Sequence, residues 1–101
     1  MRVMVFFDLP VLTSKQRRAY RQFRNYLITS GFLMMQESVY CKLVLNSTAL
    51  TSVIENLNRN KPEEGLIQVL TITEKQFSKI EYIVGNKTSE VIDTDERLVI
   101  L

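Results

Sequence analysis

Asp8 is the residue whose type and position point most directly to chemistry. It follows the continuous apolar run at residues 3–7, which is typical of a strand buried on both faces, so Asp8 should lie at that strand's carboxyl end. A carboxylate at such a place can hold a hard cation such as Mg²⁺ together with water molecules. Aspartate also caps turns, and the turn into Leu9 and Pro10 offers it that structural role. The position of Asp8 alone favours turn capping over metal binding, and both roles stay open.

A second group of candidate residues is basic and lies on one predicted helix, residues 14–29. This helix contains no acidic residue that could pair with its cations. At about 100° per residue, three of its arginines fall within about 60° of one another. Such a stripe suits contacts to phosphates rather than to base edges, which predicts sequence-independent duplex binding. The alternative is a solvated face without a partner. The candidate nucleic-acid-binding residues are Lys15, Arg17, Arg18, Arg21 and Arg24.

Several kinds of catalytic site are excluded by composition. The chain has no histidine and a single cysteine, Cys41. A Ser-His or Cys-His nucleophile and an internal disulfide are therefore impossible, and a zinc site within one chain is close to excluded. Only water and hydroxyl groups remain to transfer protons near Asp8. A hydrolytic site at this residue should therefore be slow.

The length predicts one small domain, and the two halves of its sequence carry net charges of opposite sign. Its 101 residues predict a single domain, 1–101, and no apolar run approaches the roughly 18 residues that span a bilayer. We therefore expect a cytoplasmic protein without a membrane partner. Residues 1–45 carry seven Lys/Arg against two Asp/Glu, a net charge of +5, whereas residues 46–101 carry six against nine, a net charge of −3. An anionic partner should therefore bind the first half.

The elements that position these residues alternate between strands and helices. Thr13 and Gln16 form a capping box before the helix at 14–29, and Gly31 suits a left-handed cap after it. Residues 32–36 and 39–45 predict a hairpin, in which Tyr40 should pack with its hydroxyl at the edge. A second helix should begin near residue 46 and end by Pro62. Residues 66–73 predict a strand, 75–79 a helical turn and 80–84 another short strand. Residues 85–101 predict a polar loop and then a C-terminal edge strand that contacts the dimer mate or another partner.

The predicted fold class is therefore α+β. The order β-α-β-β-α-β with an additional C-terminal strand or two is the ferredoxin-like arrangement, one antiparallel sheet with two helices on one face. This arrangement hosts many unrelated activities, so the fold alone does not give the function.

A family resemblance is carried by residues 3–45. The first strand ending in Phe7-Asp8, the arginine-rich helix, Gly31-Phe32 and the run Gln36-Glu37-Ser38-Val39-Tyr40 together resemble the second CRISPR-associated protein family. This family is the small subunit of the CRISPR spacer-acquisition complex, and it is also described as an endoribonuclease family. The resemblance extends in element order to about residue 75.

The resemblance implies a homodimer of ferredoxin-like protomers that holds Mg²⁺ between Asp8 of each subunit. It also implies that integrase dimers and duplex DNA are partners. Some members act as metal-dependent endonucleases, which makes Asp8 a candidate catalytic and metal-binding residue and adds single-stranded RNA to the candidate substrates.

Three other functions stay open at this point. The first is a DNA-binding scaffold without catalysis, and the second is a toxin-type endoribonuclease of the same fold. The third, an RNA-recognition module, is disfavoured because no strand shows the Lys/Arg-Gly-Phe-x-Phe pattern whose aromatic residues stack on bases.

Overall fold

The apolar run that precedes Asp8 forms the central strand of the sheet. The computed structural model describes residues 1–85, and in it this strand, β1, spans Arg2–Asp8. The other strands are β2 (Leu33–Gln36), β3 (Val39–Leu43) and β4 (Leu66–Ile72). β1 pairs antiparallel with β3 on one side and with β4 on the other, and β2 pairs with β3, so the order is β2-β3-β1-β4. The prediction of a central first strand is confirmed.

The helices begin and end where the capping residues predict. The first helix, α1, spans Ser14–Thr29, and its capping box has both reciprocal hydrogen bonds between Thr13 and Gln16. The second helix, α2, spans Ser47–Asn60 and is capped by the Asn46 side chain, which accepts from the Ala49 amide at 2.8 Å. A short third helix, α3, spans Glu74–Ser78.

The two long helices cover one face of the sheet. Val3, Val5 and Phe7 of β1 pack with Phe23 and Leu27 of α1 in the buried cluster, to which α2 also contributes. Because side chains alternate along a strand, the residues between these point to the opposite face. We call this opposite side the open face; its β1 members are Arg2, Met4, Phe6 and Asp8, and its neighbours on the adjacent strands include Leu33, Cys41, Leu43, Leu66 and Leu70.

The ferredoxin-like prediction is confirmed, with one correction near the end of the described chain. Residues 80–84 form no strand, although they are β-prone, since none of the strands in residues 1–85 pairs with them. Ile83 and Val84 are instead almost fully exposed. Apart from Gly85, the predicted loop and C-terminal strand over 85–101 lie outside the described residues. No helix within 1–85 has the length and apolar character needed to cross a bilayer.

The position predicted for the Tyr40 hydroxyl is wrong. Tyr40 is fully buried on the helix side of β3, with its ring centroid 5.7 Å from that of Phe7. Its hydroxyl is buried and has no hydrogen-bond partner among the residues that the structure describes. The hydroxyl is therefore inside the core rather than at its edge, because Tyr40 faces the helix side of the sheet together with Val5 and Phe7.

Candidate functional site

Asp8 presents an exposed carboxylate at the end of the open face. It is the last residue of β1, and its Cα lies opposite that of Leu66 at the start of β4. The preceding residue, Phe7, points into the helix-side core, so Asp8 points the other way. Its carboxylate forms no hydrogen bond or ion pair with any residue in 1–85. The turn-capping alternative therefore has no hydrogen bond to support it in this part of the chain.

The open face around Asp8 is largely apolar. Leu33, Leu43, Leu66 and Leu70 belong to this face, and each is at least half exposed. In contrast, Met4 in the centre of the face is only 8% exposed. Leu66 lies opposite Asp8, whereas Leu33 and Leu70 lie level with Met4 and Leu43 lies opposite Arg2, so the exposed leucines extend along the whole face. Exposed leucines spread over one sheet face are typical of a surface that becomes buried in an assembly.

The end of the open face away from Asp8 is covered by α3. The Arg2 guanidinium donates to both carboxylate oxygens of Glu74, at 2.9 and 2.6 Å, and lies 4.1 Å from the centroid of the Phe77 ring. The hydrogen bonds from Arg2 lower the pKa of Glu74 below its ordinary value and raise the pKa of Arg2. α3 is thereby fastened to the start of β1, and no element within residues 1–85 covers the Asp8 end of the face.

Asp8 fits one half of a magnesium site. Mg²⁺ takes oxygen ligands, keeps several waters and needs only one or two carboxylates. Asp8 offers a carboxylate that is exposed and engaged with no other described group. Within residues 1–85, no group of three or more potential ligands converges on one point. The described part of one protomer therefore supplies a single carboxylate at this point.

The five predicted nucleic-acid-binding cations are all exposed on α1, but their surroundings differ. Arg21 and Arg24 form no hydrogen bond or ion pair with another described residue. They lie about 60° apart around the helix axis. These two guanidinium groups are thus available for phosphate contacts.

Arg17 is engaged by the loop between β1 and α1. Its Nη1 donates to the carbonyl oxygens of Val11 and Leu12, at 3.1 and 3.0 Å, and its Nη2 lies 3.4 Å from the Ser14 hydroxyl. Replacing Arg17 would therefore remove a charge and also release the loop that follows Asp8.

Lys15 and Arg18 face the connection between α2 and β4. Lys15 Nζ lies 3.8 Å from the Glu63 carboxylate, and both side chains are largely exposed. Arg18 lines a surface cavity of about 370 Å³ beside the same connection, together with Lys61, Glu63 and Glu64. The Glu63 carboxylate thus partly offsets Lys15, whereas Arg18 shares its surroundings with acidic and basic side chains.

Asp8 and the cationic helix do not form one site. α1 packs on the helix side of the sheet, whereas Asp8 lies on the open face. The two features share only one end of the sheet, where the loop from Asp8 leads into α1. The protomer therefore carries two candidate surfaces that point in opposite directions.

Sequence reasoning missed Gly65, which approaches the main chain of Asp8 closely. Its φ is +107°, and a Cβ built on it would lie 2.9 Å from the Asp8 carbonyl oxygen. The only signal in the sequence is an isolated glycine immediately before the strand that begins at Leu66.

Comparison with known proteins gives consistent matches. The family model described as "CRISPR associated protein Cas2" matches residues 1–80. The chain is 57% identical to the CRISPR-associated endoribonuclease Cas2 of Treponema denticola over the full length of both proteins. It is 46% identical to the protein of the same name from Streptococcus mutans, over all of this chain and 93% of the relative.

Solved structures support the fold. The crystal structure of Streptococcus pyogenes Cas2 at pH 6.5 superposes with a TM-score of 0.64 and 19% identity, covering 83% of this chain and 100% of that one. At this identity the likeness shows the shared fold.

Proposed function

Because the chain belongs to the Cas2 family of CRISPR-associated proteins, we propose that it is the small subunit of the CRISPR adaptation complex. In this role a homodimer bridges integrase dimers and duplex spacer DNA. The observation that carries the proposal is the separation of two surfaces, an apolar face around Asp8 and a cationic helix on the opposite side. Family membership favours this role over that of a toxin-type endoribonuclease.

The open face is the proposed dimer surface. A twofold interface uses the same patch on both protomers. Packing two open faces together would cover Leu33, Leu43, Leu66 and Leu70, and it would bring the two Asp8 carboxylates toward one axis. Both α1 helices would then remain on the outside of the dimer.

The proposed dimer surface is tested by a charge placed on the open face. Leu70→Glu would put a carboxylate into the buried centre of the interface, so the dimer should dissociate, whereas Ile28→Glu on α1 should leave it intact. Sedimentation velocity distinguishes monomer from dimer. A dimeric Leu70→Glu would show that another surface mediates assembly.

The two Asp8 side chains would hold Mg²⁺ at this axis. When bound there, Mg²⁺ can polarise a phosphoryl oxygen and lower the pKa of a coordinated water. Asp8 would contribute ligand charge and orientation at this axis. Because the chain contains no histidine, proton transfer falls to water and hydroxyl groups, so we expect slow phosphodiester hydrolysis of RNA or DNA.

The α1 helices would bind the duplex. Arg21 and Arg24 are free to contact phosphates, and in a dimer the two helices present four such arginines on the outer surface. Phosphate contacts do not read base sequence, which suits a protein that must accept spacers of any sequence.

Magnesium-dependent cleavage of labelled duplex DNA and single-stranded RNA tests the catalytic part, with wild type compared with Asp8→Asn. This substitution nearly preserves the shape of the side chain and removes its charge. Circular dichroism and DNA binding on the same samples verify the fold and the duplex surface. Cleavage lost with both properties intact would support Asp8 as the metal-binding catalytic residue.

A DNA-binding scaffold without catalysis is the second candidate function. It is favoured by the isolation of Asp8, since no cluster of three potential metal ligands occurs among residues 1–85. Absence of cleavage by wild type and by Asp8→Asn would establish this alternative while leaving the bridging role in place. Equal cleavage by both would show that Asp8 is not the catalytic residue.

A further inference from the structure

We propose that Gly65 is a positioning residue for Asp8, acting through the main chain to place the carboxylate for metal binding. This inference rests on the metal role proposed for Asp8. It concerns a residue 57 positions further along the chain, at the point where the connection from α2 reaches β4.

The contact between Gly65 and the Asp8 segment leaves no room for a side chain. A Cβ at Gly65 would lie 2.6 Å from Leu9 Cδ2, 2.9 Å from the Asp8 carbonyl oxygen and 3.2 Å from Leu9 Cα. The leucine methyl group can rotate away. The carbonyl oxygen is part of the main chain, so it can move only if the peptide of Asp8 moves with it.

The segment around this contact is held on both sides. Leu9 is buried in the core cluster, and Asp8 pairs with Leu66, the residue directly after Gly65. The α2–β4 connection is in turn tied to α1, since the Gln16 side chain donates to Glu64 at 3.2 Å. Because both segments are held, a methyl group at Gly65 would push the two main chains apart, and the Asp8 peptide would shift with this movement.

A displacement of Asp8 would move both carboxylates of the proposed dimer. Each protomer supplies one carboxylate to the axis, so a shift in one chain is repeated in the other. Metal–ligand distances in formed sites fall within about 0.2 Å of their standard values, and Mg²⁺ demands near-ideal geometry. A side chain at Gly65 should therefore weaken metal binding even where the protein still folds.

Gly31 provides a matched control. Its φ of +92° resembles that of Gly65, so alanine meets a similar left-handed strain at both positions. A Cβ at Gly31 would contact only the flexible end of Lys42, at 3.7 Å or more. The two substitutions thus share the backbone strain and differ in the collision with Asp8.

The experiment measures Mn²⁺ binding by electron paramagnetic resonance on the full-length protein. Asp8→Asn should weaken binding, Gly65→Ala should weaken it by roughly tenfold, as for other residues that orient a metal ligand, and Gly31→Ala should leave it unchanged. In the Asp8→Asn background, Gly65→Ala should have no further effect on Mn²⁺ affinity. Amide chemical shifts of Asp8 and Leu9 should move in Gly65→Ala and stay in place in Gly31→Ala.

The possible failures are distinguishable. If Asp8→Asn weakens Mn²⁺ binding and Gly65→Ala does not, the metal role stands and the positioning role is overturned. If Asp8→Asn leaves Mn²⁺ binding unchanged, the metal role itself is wrong and the positioning role falls with it. If Gly65→Ala does not fold, Gly65→Asn is compared with Gly31→Asn, because asparagine tolerates positive φ better and still carries a Cβ.

Discussion

Replacing Arg21 and Arg24 together with alanine should reduce the salt dependence of duplex binding by an amount that the structure lets us calculate. Neither side chain has a partner among the described residues, so each can neutralise one phosphate. Each phosphate contact contributes about 0.9 to the slope of log K against log salt. A duplex that lies across both protomers should therefore lose about 3.6 from this slope, and one that contacts a single protomer about 1.8.

Fluorescence anisotropy of a labelled duplex between 50 and 200 mM salt measures this slope. The matched control is Lys15→Ala/Arg18→Ala, which removes the same formal charge from the same helix. Because Glu63 lies beside Lys15 and partly offsets its charge, the control should lose less of the slope. An unchanged slope in Arg21→Ala/Arg24→Ala would refute the duplex surface, and equal losses in both double variants would show that only net charge matters.

Three further predictions concern stability and assembly. Tyr40→Phe should raise the free energy of unfolding by about 1 kcal/mol in urea titrations, because it removes a buried hydroxyl without a described partner; a loss of stability would reveal a partner, such as a buried water. The Arg2–Glu74 contribution to stability should be fully present above pH 4.5 and be lost as pH falls through the lowered pKa of Glu74. Glu74→Gln should abolish this pH dependence. The chemical shifts of Phe77, whose ring contacts Arg2, follow the contact across the pH range. Deleting residues 97–101 should shift sedimentation toward the monomer with circular dichroism unchanged, whereas an intact dimer would exclude this segment from the interface.

The elements that local chemistry determines could be predicted from the sequence. The bounds of α1 follow from reciprocal hydrogen bonds between Thr13 and Gln16 and from the left-handed Gly31, all within the helix or next to it. The strand predicted at 80–84 failed because β-propensity needs a neighbouring strand, and in residues 1–85 none is beside it.

The details of the candidate site depend on contacts between distant parts of the chain. Arg17 was predicted as one of five cations that bind nucleic acid, but its guanidinium donates to the carbonyls of Val11 and Leu12. The approach of Gly65 to Asp8 joins residues 57 positions apart, and no local pattern encodes it. The burial of the Tyr40 hydroxyl likewise depends on the packing of β3 beside β1 under the helices. Residue types in the sequence identified the candidate site residues. Tertiary packing determines which of these side chains already have partners within the protomer.

The opposite directions of the two surfaces limit how one dimer can use them. With the open faces packed together, the Asp8 pair lies inside the dimer, whereas Arg21 and Arg24 lie outside on α1. A duplex held along the outer helices cannot also reach the axis between the open faces. Hydrolysis at Asp8 would therefore act on a strand that enters the interface, not on the bridged duplex. Binding and cleavage should accordingly be separable, because Asp8→Asn removes a charge that the duplex does not contact, and Arg21→Ala/Arg24→Ala leaves the metal-binding axis untouched.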